Sequence, residues 1–377
     1  MKRLALHGNV VAVCCSTANT RSTPQQSNRE ASRPMDTIGI DLHKRESQLC
    51  TITEDGELLE QRIVTSPARF TAVFGERPAA RILLEASTES EWVARHLEAL
   101  GHQVVVADPG FAAMYATRSS RVKTDKRDAR TLCEALRFGA YRPTHRASDA
   151  QRHLRAELAV RDALVRTRTR YVAVIKALVR RDGLRLASGE PEHTVEKLAR
   201  LPLPPALADE VAPLAALIAP LNAAIAAADE RLLALTHAHP VVPRLCTMPM
   251  IGPVTAIAFV AALDDVTRFR GAHQVEAYLG LVPSEYSSGD RRMRGQITKR
   301  GDVRTRWLLV EAAWRILRSA NPAVAGLKAW AEQVARRRGK RIAVVALARR
   351  IAGILFALWR DAAVYRPLAV RQIPYVG

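Results

Sequence analysis

A chain of 377 residues, 48% of them hydrophobic, is long enough to bury more than one core, so two or three compact units are expected without help from disulfides. The five cysteines (Cys14, Cys15, Cys50, Cys133 and Cys246) form no CxxC pair and no Cys/His comb, which argues against a structural zinc site and fits a reducing cytoplasm. The formal net charge of +20, from 57 Lys and Arg against 37 Asp and Glu, calls for a polyanionic partner, because each phosphate contact releases a counterion. No stretch of about 18 residues reads as a bilayer span and Leu4 to Cys15 is a poor secretory signal, so no membrane partner is expected.

Residues 1–35 are rich in Ser, Thr, Asn, Gln and Arg and lack periodicity. They read as disordered, or as an upstream extension of a chain whose natural start is Met35. From Asp36 short apolar runs alternate with helical stretches. Thr37 to Leu42 reads as a buried strand; Ser47 to Thr53 and Leu58 to Thr65 flank Asp55 and Gly56, a hairpin signal. Arg81 to Leu84 and Gln103 to Ala107 read as two more strands, with a helical segment, Glu89 to Leu100, between them. The outcome is an α/β domain over residues 36–147.

Strand signals then give way to helical ones. Leu154, Leu158, Val165, Val172 and Ile175 keep a helical stripe decorated by Arg155, Arg161, Arg166, Arg168, Arg170 and Lys176, with Gly183 as a stop. Leu207, Val211, Leu214, Ile218, Leu221, Ile225, Ala228, Leu232 and Leu235 alternate spacings of four and three, the seam of a coiled coil. Pro213 and Pro220 should kink its first half. Residues 148–239 therefore read as a helical coiled-coil linker, either an intramolecular hairpin or a dimerising coil. Residues 240–377 read as a mostly α, basic domain. Within it Leu245 to Ala262 has a helix-hairpin-helix-like form, with a Gly-centred turn suited to a DNA phosphate or simply to joining two core helices. The cluster Arg336 to Arg341 reads as phosphate-facing, and the apolar run after it as core.

Among the acidic residues, Asp41 ends the first strand and Glu85 follows the strand at Arg81. Asp125 and Asp128, three apart, share a face if helical. Four converging carboxylates repel one another unless cations intervene, and hard oxygen donors of this kind suit Mg²⁺ or Mn²⁺. Two such ions about 4 Å apart serve phosphodiester chemistry. Asp36, Glu89, Glu91 and above all Asp108, which also follows a strand, are rivals for these roles; helix capping and surface ion pairs are the alternative roles for the four.

A second constellation runs from Ala277 to Trp314, AYLGLVPSEYSSGDRRMRGQITKRGDVRTRWLLVEAAW. Arg291, Arg292, Arg294, Lys299, Arg300, Arg304 and Arg306 surround a turn at Ser287 to Gly289, and a serine among guanidinium groups is suited to attack a phosphodiester. No His base adjoins it, which disfavours a Ser/His/Asp hydrolase.

The motifs GIDLHK, LLEAST, KTDKRDAR, MIGPVTA, YLGLVPSEYSSG and GQITKRGDVRTRWLLVEAA, with the arginine-rich helix from Leu154, together resemble the DEDD-type transposases of bridge-RNA-encoding insertion sequences. The likeness runs from about Asp36 to Arg350. It implies an N-terminal RNase H/RuvC-like domain, a helical coiled-coil connection and a C-terminal domain carrying a serine. It also implies that Asp41, Glu85, Asp125 and Asp128 bind metal, and that Ser288, or its neighbour Ser287, becomes joined to DNA. Donor and target DNA, a structured guide RNA and a homo-oligomer, dimer or tetramer, are the partners implied. Small departures occur: His43 stands where a smaller residue is common after the first Asp, Asp108 where Asn is frequent and Thr298 where Ser often occurs. Two other functions stay open: a Holliday-junction-resolvase-like nuclease that uses water, and a non-catalytic nucleic-acid-binding protein.

Overall fold

The run Thr37–Leu42 forms the central strand (β1) of a five-stranded sheet in the computed structural model, which describes residues 35–115, 124–288 and 291–367. The side chains of residues 286–288 and 291–294 lie outside that description. The chain divides into two compact units, Met1–Arg146 and Ala147–Gly377.

In the first unit β2 (Glu46–Ile52) and β3 (Leu58–Val64) follow β1 as antiparallel neighbours, joined through Asp55 and Gly56, whose φ of 89 suits glycine. A short helix α1 (Pro67–Phe74) leads to β4 (Arg81–Glu85), and α2 (Ser90–Ala99) to β5 (Gln103–Ala107). Both of these strands run parallel to β1, giving the order β3-β2-β1-β4-β5. Helix α3 (Asp125–Phe138) closes the unit.

Strand periodicity of two decides which residue meets which layer. Ile38, Ile40, Ile82 and Leu84 pack with Phe70, Phe74, Val93 and Leu97 of α1 and α2 on one face. Leu83 packs with Leu132 and Leu136 of α3 on the other, and Cys50 packs with Ala129 and Cys133 there. Gly39 belongs to the α3 face. A Cβ at Gly39 would overlap Ala129 O and Cys133 N, so only glycine lets the helix backbone lie against β1.

The second unit is helical apart from one hairpin. The 33-residue α4 (Asp149–Arg181) buries Leu154, Leu158, Val172 and Ile175, and ends just before Gly183. A short helix, α5 (Thr194–Ala199), leads to the seam predicted as a coiled coil, which is two helices, α6 (Pro205–Ala216) and α7 (Ile218–Ala238), broken at Leu217. Its residues Leu207, Val211, Ile218, Ile225, Ala228 and Leu232 are buried within this chain, with both helices packed on α4. The α4 arginines expected as surface decoration partly serve this packing. Arg161 pairs with Asp229 and Arg168 donates to Asn222 Oδ1 at 2.9 Å, both in α7, whereas Arg155 turns elsewhere and donates to Ala261 O at 2.7 Å.

The helix-hairpin-helix expectation needs correction. Its first helix, α8 (Val242–Leu245), is one turn, and the left-handed residue of the turn is Met250, not Gly252. Met248 and Ile251 are buried, so the turn serves the core. The next helix, α9 (Pro253–Leu263), is buried from Thr255 onward and forms the centre of the unit. Around it stand α10 (Ala272–Tyr278), α11 (Val303–Arg318), α12 (Ala325–Arg338) and α13 (Lys340–Arg360). Between α10 and α11 the chain forms the hairpin β6 (Pro283–Ser288) and β7 (Arg291–Ile297).

Two stretches, Pro205–Ala238 and Lys340–Arg360, are long and apolar enough by length and composition to cross a membrane, where the sequence reading expects none. Half of the apolar window in α13 is buried in the unit's core, and its two central arginines have partners there: Arg349 pairs with Glu276, and Arg350 lies 4.8 Å from the Trp330 ring centroid.

Candidate active site

Asp41 and Glu85 stand one residue beyond the paired positions Ile40 and Leu84, at the C-terminal ends of adjacent parallel strands. Both share the parity of Gly39 and Leu83, so both side chains project toward the α3 face. Two residues of strand advance about 6.6 Å and one turn of helix about 5.4 Å. With Gly39 set against Ala129, Asp41 therefore falls level with Asp125, one turn earlier in α3. Thr124 caps that helix, its Oγ1 accepting from Arg127 N at 3.4 Å, and Asp125 and Asp128 occupy the first turn, where the helix dipole favours negative charge.

Asp41, His43, Glu85, Ser87, Tyr115 and Asp128 line a cleft of about 270 Å³. Asp125 joins through His43, whose Nε2 lies 3.3 Å from Asp41 Oδ2 and 3.5 Å from Asp125 Oδ1. Burial raises the Asp41 carboxyl from its ordinary value; His43 opposes this, and the charges of Asp128, Asp125 and Glu85 reinforce it. A carboxylate only 8% exposed and ringed by three others is a store of negative potential. Its oxygen-rich donor set fits a hard divalent cation.

The rival carboxylates are occupied elsewhere. Asp108 pairs with Arg142 and accepts from Gly110 N at 2.8 Å; Asp36 meets Arg77 Nη2 at 2.6 Å. Glu89 accepts from Trp92 Nε1 at 2.6 Å, and Glu91 is held by Arg95 and Arg146. His43, which the sequence marks only as a departure from the family pattern, is the residue the structure adds to the site. Its signal was available, because i and i+2 at a strand end face the same way.

In the second unit Ser287 and Ser288 end strand β6, paired with Arg292 and Arg291 across the hairpin. Their side chains, those of Arg291, Arg292 and Arg294, and Gly289 lie outside the described residues. The two serines expected in a turn thus end a strand. At the base of the hairpin, Lys299 and Arg300 are exposed. Gly280 and Gly301, with φ of 68 and 73, let the segment from Lys299 to Gly301 lie directly on the end of α10; a Cβ on either would overlap backbone there. Arg304 is turned to Asp162, and Arg306 is buried, its Nη1 donating to Leu279 O at 2.9 Å and Arg300 O at 2.8 Å.

Burial takes Arg306 out of the phosphate-facing set and makes it a clamp on the hairpin's base. Arg306→Ala is expected to cost roughly 2–4 kcal/mol, since two carbonyls lose a charged donor, and Arg306→Lys should restore only part of it. Chemical denaturation checks this; a midpoint equal to the parent's would remove the clamp from the account.

An acidic cleft at a sheet end, in a chain this basic, marks an enzyme that acts on nucleic acid. Residues 38–181 match a family profile described as "Transposase", of the DEDD kind of IS110, and residues 242–328 match one described as "Transposase IS116/IS110/IS902 family". The chain is 30% identical over 336 residues to a "Probable family 20 transposase" of Pseudomonas aeruginosa, covering 88% of this chain and 98% of that protein. It is 28% identical over 349 residues to the "Transposase for insertion sequence element IS1111A" of Coxiella burnetii (90% and 93% covered). Identity to the "Transposase for insertion sequence element IS1328" of Yersinia enterocolitica is 29% over 334 residues (87% and 98%). The chain belongs to the IS116/IS110/IS902 family of transposases, enzymes that act on DNA.

Proposed function

We propose that this transposase cuts and rejoins DNA with two groups of residues: Asp41, Glu85, Asp125 and Asp128 as metal ligands, and Ser288 as the nucleophile. The convergence of carboxylates around the raised Asp41 carboxyl carries the reading. The strand order β3-β2-β1-β4-β5, with acidic residues at the ends of β1 and β4, supports an RNase H-type assignment for the first unit. Divalent metal, when bound, supplies Lewis-acid charge at the scissile phosphate. The carboxylates hold it; the strand ends and the capped helix keep them converged.

The Ser288 Oγ attacks phosphorus, forming a P–O bond to serine while the bond to one DNA oxygen breaks, and the serine proton ends on that departing oxygen. An incoming DNA hydroxyl reverses the exchange on a second strand. Arg291, Arg292, Arg294, Lys299 and Arg300 contact phosphate in this reading. The chain works in the cytoplasm as a homo-oligomer in which one subunit's carboxylates meet a partner's serine, directed to donor and target DNA by a structured RNA.

Trapping tests the serine role. Incubation with donor DNA followed by denaturing electrophoresis should show a protein–DNA adduct in the parent and none in Ser288→Ala. Full strand exchange by Ser288→Ala would remove the serine from the mechanism. Adduct-free cleavage by the parent would favour a junction nuclease that uses water.

A further inference from the structure

We propose that His43 is itself a metal ligand, contributing Nε2 to an ion shared with Asp41 and Asp125, and that it shifts the site's preference from Mg²⁺ toward Mn²⁺ and later first-row ions. The inference rests on the metal reading above and adds a nitrogen to a donor set otherwise made of oxygen.

The geometry carries it. One ligand atom each from Asp41, His43 and Asp125 lies within 4.8 Å of the others. Two ligands about 2.1 Å from one ion are about 3 Å apart when adjacent in an octahedron and about 4.2 Å when opposite. The separations from Nε2, 3.3 Å to Asp41 Oδ2 and 3.5 Å to Asp125 Oδ1, lie between those limits, so a small closure brings all three onto one ion. The strand exit places the ring there: His43 stands one residue past the end of β1, two after Asp41, and its backbone carbonyl accepts from Thr65 Oγ1 at 2.8 Å, tying the exit to the residue just after β3. The imidazole also lines the same cleft as Glu85 and Asp128.

The chemistry gives the consequence. Mg²⁺ is bound through oxygen and dehydrates reluctantly, whereas imidazole is an ordinary ligand for first-row transition ions. A carboxylate-only site would have little reason to prefer Mn²⁺; an added imidazole supplies one. A competing role for the same contacts is that of a counter-ion bridging two carboxylates, which leaves no nitrogen on the metal.

Mn²⁺ is the probe that separates them. Full-length protein loaded with Mn²⁺ is expected to show ¹⁴N imidazole modulation in pulsed electron paramagnetic resonance. His43→Ala should still bind Mn²⁺ but lose that modulation, and its preference for Mn²⁺ over Mg²⁺ in competition should fall by about tenfold. The side chain is 54% exposed, so its removal leaves the core intact, and circular dichroism confirms the fold. Bound Mn²⁺ without ¹⁴N modulation in the parent overturns the proposal and leaves the carboxylate site standing, as does modulation that persists in His43→Ala. Failure of the folded parent to retain Mn²⁺ more than Asp41→Asn does overturns the metal reading itself.

Discussion

Asp41→Asn is expected to lower DNA cleavage and strand transfer by at least about 10³-fold, roughly 4 kcal/mol of lost transition-state stabilisation, with little change in DNA affinity. The amide keeps the shape of the carboxylate but removes the charge at the centre of the cluster, where Asp128, Asp125 and Glu85 all act on it. Basic side chains generally carry affinity for the DNA backbone, and this change leaves the chain's lysines and arginines alone. Stability should hold or rise, because burial already penalises the ionised carboxyl in the metal-free protein. Excision from a donor plasmid, measured beside DNA binding and thermal unfolding, reads all three. Parent-level excision by Asp41→Asn would end the metal mechanism, and equal losses of excision and DNA binding would reassign Asp41 to substrate affinity.

Gly39→Ala carries the second large effect, although Gly39 is not among the residues that line the cleft. The added methyl must displace the backbone of α3 at Ala129 and Cys133, since neither obstacle is a flexible side chain. Overpacking of this kind costs about 3 kcal/mol. The helix that moves is the one that carries Asp125 and Asp128. A shift of about 1 Å at their end of the site is expected to cost on the order of 100-fold in rate among molecules that still fold. Denaturant unfolding gives the first number, and excision normalised to folded protein the second. Gly101→Ala is a useful contrast: the same methyl meets no neighbour at that position, and only the strain of its φ of 93 is added. A Gly39→Ala protein with normal excision per folded molecule would show that the distance from β1 to α3 does not control the site.

Much of the first unit was legible because its signals are local. β1 and β5 run where their apolar runs predicted, and the Asp55–Gly56 turn joins β2 to β3. Helix α1 was not read, because eight residues starting at Pro67 give too few turns for periodicity to show; its Ser66 cap was the available sign. In the second unit the seam spacing was read correctly, but spacing carries no information about the partner. Burial of that seam on α4 is a property of this chain's own packing. Ser287 and Ser288 are expected in a turn because serine and glycine favour turns; pairing of Ser287 with Arg292 and Ser288 with Arg291 places both in β6 instead.

What the sequence determined by itself was the charge that demands a polyanion, the strand and helix periods, and the positions where a carboxylate ends a strand. Those follow from bonding and solvation within a few residues. Tertiary structure decided which carboxylates lie together, because that choice depends on partners far along the chain. Asp108 has the same strand-end setting as Asp41, yet Arg142 engages it while Asp41 faces α3. Arg306 has the same composition around it as Lys299, yet the carbonyls of Leu279 and Arg300 draw it inward. A charged group goes to whichever partner offsets its lost hydration, and only the folded chain brings that partner within reach.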